Sequence, residues 1–164
     1  MYPDWLPSPL NLRGSYDEDI KELLEVFNRD FVNSDNPVVD GRRVIVNNKP
    51  DLNWQDLQLT YGFTHMITRG NGLRVMDYDR ASKLPWVRAI LDNYKQPEVI
   101  AFWAENIKGD RLYLWLEEHD FVVILSPLVG KSASLNSESI IVTAYSIDSY
   151  RNFSKIRDRA IRFL

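Results

Sequence analysis

The chain has 164 residues, a formal net charge of −3 and no cysteine. One domain fits that length, and an apolar share of 45% with 12% aromatic residues is enough for a core without covalent staples. Disulfides and thiolate metal sites are excluded by composition, and no apolar run approaches the roughly 18–20 residues of a membrane span.

Residues 1–10 lack the basic and apolar regions of a secretory leader. The expectation is a soluble cytoplasmic protein with no membrane partner. Charge is uneven along the chain: residues 1–35 carry eight acids and three bases, whereas 65–95 carry six bases and three acids. That pattern fits a local anion site on an acidic body rather than a general nucleic-acid coat.

A single domain over 1–164 is expected, with an extended arm (1–14), a helix and hairpin (15–53) and a core (54–164). The arm holds Pro3, Pro7, Pro9 and Gly14, with Trp5, Leu6 and Leu10 between them as anchors. Ser15 and Glu18 have capping-box spacing. Ile20, Leu23, Leu24, Phe27 and Phe31 then fall on one helical stripe, which ends at Asn33–Pro37. Residues 38–46 read as a hairpin on an Asp40-Gly41 turn.

A second helix is predicted over 54–67, with His65 near its C-terminal end, where the helix pole would favour imidazolium. Arg69 and Arg74 flank a Gly70-Asn71-Gly72 turn. Asp77 or Asp79 opens a further helical stretch, split by Pro85. From Pro97 the pattern turns to strands, over 98–105, 111–117, 121–125 and 139–145, separated by turn residues, as in an antiparallel meander. Residues 149–164 read as an amphipathic helix, with Tyr150, Phe153, Ile156 and Ala160 inward. The fold class is α+β: N-terminal helices on a roughly four-stranded antiparallel sheet, with a C-terminal amphipathic helix.

Several motifs fail on their spacing. Gly130-Lys131-Ser132 resembles the end of a phosphate loop, but that motif needs a glycine where Leu125 stands. Two histidines, at 65 and 119, with no H-x-x-x-H or EF-hand spacing, give no metal site and no cofactor motif. His119, between Glu118 and Asp120, reads as an exposed loop residue. No G-x-S-x-G elbow occurs.

What remains is the stretch 63–80. Histidine moves protons near neutral pH, and arginine binds phosphate. Each residue also has a plain structural reading: a hydrogen-bonded core histidine, and surface arginines.

The order Phe63-x-His65, then Arg69, Arg74 and Arg80, then Pro85-Trp86-Val87, a strand with Tyr113, Phe121–Leu125, and last Val142-Thr143-Ala144-Tyr145 resembles a known family. It is similar to the phage-associated branch of the barnase–EndoU–colicin E5/D–RelE ribonucleases, over roughly residues 60–150. The resemblance implies a cofactor-free, metal-independent endoribonuclease, a toxin or phage-defence effector, with RNA as substrate and a protein antitoxin or immunity partner. It implies 2′-hydroxyl attack on the phosphodiester and a 2′,3′-cyclic phosphate product.

In that reading His65 is the acid–base group, and Arg69, Arg74 and Arg80 stabilise charge. Thr143 and Tyr145, on one face of the last strand, bond the phosphate. Tyr113 and Lys131 contact the substrate. The rival expectation is a non-catalytic interaction module, such as an antitoxin, inhibitor or phage accessory protein. An ADP-ribosyltransferase would need a dinucleotide pocket and a catalytic glutamate, for which no motif is present.

Overall fold

The computed structural model describes residues 1–129 and 137–164. Among them are five α-helices: α1 (Tyr16–Phe27), α2 (Tyr61–Ile67), α3 (Tyr78–Ser82), α4 (Leu84–Asp92) and α5 (Tyr150–Asp158). The strands are β1 (Val38–Val39), β2 (Arg42–Ile45), β3 (Thr68–Arg69), β4 (Val75–Met76), β5 (Val99–Ala104), β6 (Arg111–Leu116), β7 (Phe121–Pro127), β8 (Glu138–Ser146) and β9 (Ala160–Phe163).

The fold is α+β, but the sheet differs from the four-stranded antiparallel expectation. Seven strands run in the order β1-β2-β8-β7-β6-β5-β9, and a separate two-stranded sheet joins β3 to β4. The predicted meander β5–β8 is antiparallel throughout. It is extended on one side by β2, which pairs with β8 in parallel, and on the other by β9, antiparallel to β5. The parallel junction is fastened where Arg43 Nη2 meets Glu138 Oε2 at 2.6 Å.

The sheet curls until its two ends meet. Asp40, in the β1–β2 turn, accepts from Trp103 Nε1 of β5 at 2.8 Å and from Arg162 Nη2 of β9 at 2.7 Å. That turn has both central residues at positive φ (Asp40 49°, Gly41 75°), as a two-residue hairpin requires.

One face of the sheet, with Leu112, Leu114, Leu116, Val123 and Ala144, packs with the arm and α1–α4 in a single apolar cluster. The other face, with Phe102, Tyr113, Trp115 and Val122, packs on Phe153 of α5. The predicted stripe of α1 is observed, Ile20, Leu23 and Phe27 being buried. Ser15 makes no side-chain cap. The buried Asp19 carboxylate instead accepts from the backbone N–H groups of Arg13 and Gly14.

Two other predicted helices are shorter than expected. Over 54–67 the chain forms a 3₁₀ segment (Leu52–Leu57) and only then α2. Gln58 sits at φ 55° between them, and a bridge pairs Pro50 with Thr60. Both breaks serve buried Asp51, whose N–H donates to Leu59 O and whose Oδ2 accepts from Thr64 Oγ1 at 2.7 Å. The C-terminal helix stops at Asp158, and 160–163 is a strand. Tyr150, expected inward, is exposed, as are Ile161 and Phe163 of the strand.

The arm is anchored as predicted. Pro7 O accepts from Trp86 Nε1, and Leu10 N–H donates to Ser82 O. Tyr2 meets His119 edge-on at 4.9 Å. His119 is therefore half-buried beneath the arm, not a free loop residue.

Candidate active site

Past Ile45, β2 no longer pairs with β8, so residues 142–146 of β8 have no strand partner on that edge among the described residues. The segment from α2 through β3, β4 and α3 wraps beside it. Between them lies an open cleft of about 620 Å³, lined by His65, Arg69, Arg74, Arg80, Thr143 and Tyr145, with Gly70, Asn71, Lys108 and Val142. The chain thus brings together six of the eight residues singled out from sequence. No carboxylate is among the lining residues.

Each cation is held differently. Arg74 folds back on its own hairpin: Nε donates to Thr68 Oγ1 (2.9 Å), Nη2 to Thr68 O (2.7 Å) and Nη1 to Gly70 O (2.8 Å). These bonds close the β3–β4 turn, in which Gly70 (φ 118°) and Gly72 (φ 78°) take conformations that a side chain disfavours. Arg80 Nη1 donates to His65 O (3.2 Å) and Thr68 O (2.7 Å), so it caps the C-terminal end of α2. Its Nε is buried without a hydrogen-bond partner, 4.0 Å from Asp77 Oδ2. Its backbone N–H donates to Asp77, the N-cap of α3. Arg69 and Lys108 are exposed, and neither side chain has a hydrogen bond or ion pair among the described residues.

His65 lies half-buried in the last turn of α2, edge-on to Tyr61 at 5.4 Å. Burial lowers its pKa, and the positive charges of Arg74 and Arg80 lower it further against the opposing pull of Asp51. This reverses the expectation from the helix pole. Burial is the main cause, then Arg74, and Arg80 adds a smaller share from the pole itself, where free carbonyls would otherwise have favoured the charged form. The neutral imidazole is the resting form at pH 7.

Thr143 and Tyr145 share a strand face, and the Arg80 guanidinium carbon lies 5.6 Å from the Tyr145 ring centre. Burial raises the Tyr145 pKa, the neighbouring Tyr113 adds to it, and the Arg80 charge opposes. The phenol is protonated at neutral pH.

One predicted substrate contact is not in the cleft. Tyr113 is 4% exposed, stacked on Phe102 at 5.3 Å and edge-on to Phe153 at 5.9 Å. It is a core residue of the α5 face. Lys131 lies outside the described residues. Conversely, Lys108 and Asn71 line the cleft without having been singled out. Their signal was slight, one lysine before the Gly109 turn and one asparagine between glycines.

No residue of 1–35 lines the cleft, so the acidic front does not cover it. Among the described residues no group of three His, Cys, Asp or Glu side chains could hold a metal ion, and no helix is long and apolar enough to cross a membrane. Compared with known protein families, curated proteins and solved structures, the chain matches none.

Proposed function

We propose that the protein is an endoribonuclease that cleaves RNA by attack of the neighbouring 2′-hydroxyl, acting as a toxin or phage-defence effector with a protein antitoxin or immunity partner. The observation that carries the reading is the cleft itself: four cationic side chains, no carboxylate, a neutral histidine and two hydroxyls. Such a lining suits a phosphodiester and the extra charge of its phosphorane.

In this reading His65 takes the proton of the 2′-hydroxyl, whose oxygen then attacks phosphorus. The P–O5′ bond breaks, and the leaving oxygen takes the Tyr145 phenolic proton. The products are a 2′,3′-cyclic phosphate and a 5′-hydroxyl, and Tyr145 and His65 re-equilibrate through water. Arg74 and Arg80, held by backbone carbonyls, are fixed charges that need no reorganisation. Arg69 and Lys108, which are free, gather the flanking phosphates. Thr143 donates to a non-bridging oxygen.

The deciding experiment compares wild type with His65→Ala on RNA. Wild type should release fragments with cyclic phosphate ends at a rate unaffected by EDTA, and the variant should be about 10²–10⁴ slower. Equal cleavage by a folded His65→Ala protein rejects the assignment.

A second reading is a non-catalytic interaction module. The observation favouring it is that Arg74 and Arg80 spend five hydrogen bonds on the α2–β3–β4 segment itself. It predicts no RNA cleavage by wild type.

A further inference from the structure

A second concavity, about 230 Å³, adjoins the cationic cleft at His65 and Val142. Its walls include Asn47, Tyr61, Met66 and Ile140, and it shares His65 and Val142 with the cleft. The two hollows differ in chemistry. One is cationic, while the other is mainly apolar, with one aromatic ring and one amide. The smaller is below the roughly 300–1,000 Å³ of pockets that hold whole drug-sized ligands, so it admits one planar group and not a nucleotide.

The amide is oriented. Asn47 Oδ1 accepts from Lys49 N–H at 3.0 Å, which leaves the Nδ2 donors without a protein partner among the described residues. Asn47 is itself locked against α2. Gly62 N–H donates to Asn47 O at 2.8 Å, and a Cβ at Gly62 would stand 2.8 Å from that oxygen. An amide donor beside a ring and aliphatic side chains is suited to a nucleobase, whose edge accepts hydrogen bonds and whose face stacks.

We infer that the Asn47–Tyr61 pocket holds the nucleobase on the 5′ side of the cleaved phosphate, so that base, ribose and phosphate lie in sequence across pocket, His65 and cleft. The inference rests on the ribonuclease reading and deepens it. With base and phosphate in the two hollows, the ribose between them falls at the one titratable residue they share. The 2′-hydroxyl then meets His65, as general-base removal of its proton requires. The same arrangement makes Asn47 the residue that discriminates between bases.

The test uses the four ribonucleoside 3′-monophosphates against inorganic phosphate, with titration followed by NMR on wild type and Asn47→Ala. At least one nucleotide should bind wild type about tenfold tighter than phosphate, shifting the Tyr61 ring and Asn47 amide signals, which phosphate alone leaves in place. Asn47→Ala should lose about tenfold for that nucleotide, the span of one hydrogen bond, and keep its phosphate affinity.

Nucleotides that bind no better than phosphate, or that leave Tyr61 unshifted, overturn the inference even if RNA is cleaved. Conversely, selective binding with those shifts, in a protein that leaves RNA intact, sustains the pocket and removes the ribonuclease reading. The wild-type shifts decide the matter without the variant should Asn47→Ala fail to fold.

Discussion

The Arg80 guanidinium lies over the ring of Tyr145, 5.6 Å from its centre, while its Nη1 holds the carbonyls of His65 and Thr68. One side chain thereby ties the end of α2 to the last residues of β8. Both proposed proton-transfer groups are positioned from the same guanidinium.

Arg80→Met should therefore act on stability as well as rate. It removes two charge-assisted bonds to partly buried carbonyls, at about 1.5–3 kcal/mol each before relaxation, and leaves the end of α2 without its cap. A urea melt should show a lower midpoint, and Arg80→Lys should recover only part of it, since an ammonium lacks the planar fork. An unchanged midpoint would refute the capping role.

The pH dependence follows from His65. Its pKa is depressed below 6.5, chiefly by burial and then by Arg74. A base works when neutral, so kcat/KM should be flat through neutrality and fall only below pH 6.5. Arg74→Met removes one depressing charge and should move that acidic limb upward. The linked effect on stability has a definite sign. The unfolded chain takes up the proton first, so the contribution is full above 6.5 and is lost as pH falls through the folded value. A pH–rate profile for the two proteins checks the shift, and an identical acidic limb would exclude Arg74 as its cause.

Tyr145→Phe keeps the ring beneath Arg80 and removes only the hydroxyl. If the phenol is the acid, activity should drop about 10²-fold or more with the melting temperature little changed. A loss confined to KM would instead make Tyr145 a binding group.

Thr64→Val tests the support beneath the site. Thr64 and Asp51 are both fully buried, and their 2.7 Å bond joins α2 to the loop before it. Removing the hydroxyl strips a buried carboxylate of one donor, at a cost of about 1–3 kcal/mol or more. Differential scanning calorimetry should register it. Gly62→Ala should be as damaging for a different reason, because its Cβ would sit 2.8 Å from the Asn47 carbonyl and push α2, with His65, off the end of β2.

Much of this fold is readable from local pattern. The stripe Ile20–Leu23–Phe27, the Asp40-Gly41 hairpin, a cap at Asp77 or Asp79 (Asp77 in the structure) and the meander from 99 to 146 all follow from period, turn chemistry or capping. Those rules act over a few residues, and the sequence displays them directly. The candidate residues His65, Arg69, Arg74, Arg80, Thr143 and Tyr145 were also legible as types with suitable chemistry.

Tertiary structure decided what depends on distant partners. The parallel pairing of β2, with its hairpin partner β1, on β8 and the antiparallel pairing of β9 on β5 widened four strands to seven, because backbone edges pair with whatever strand the curl brings near. Tyr113 looked available and is stacked on Phe102, since strand alternation does not say which face a helix covers. Lys108 entered the cleft from a remote hairpin. The state of His65 was decided the same way. Local sequence placed it at a helix end that favours its charge, but burial and two folded-back arginines left it neutral. Electrostatics sums over every charge within reach, and only the folded chain sets which charges those are.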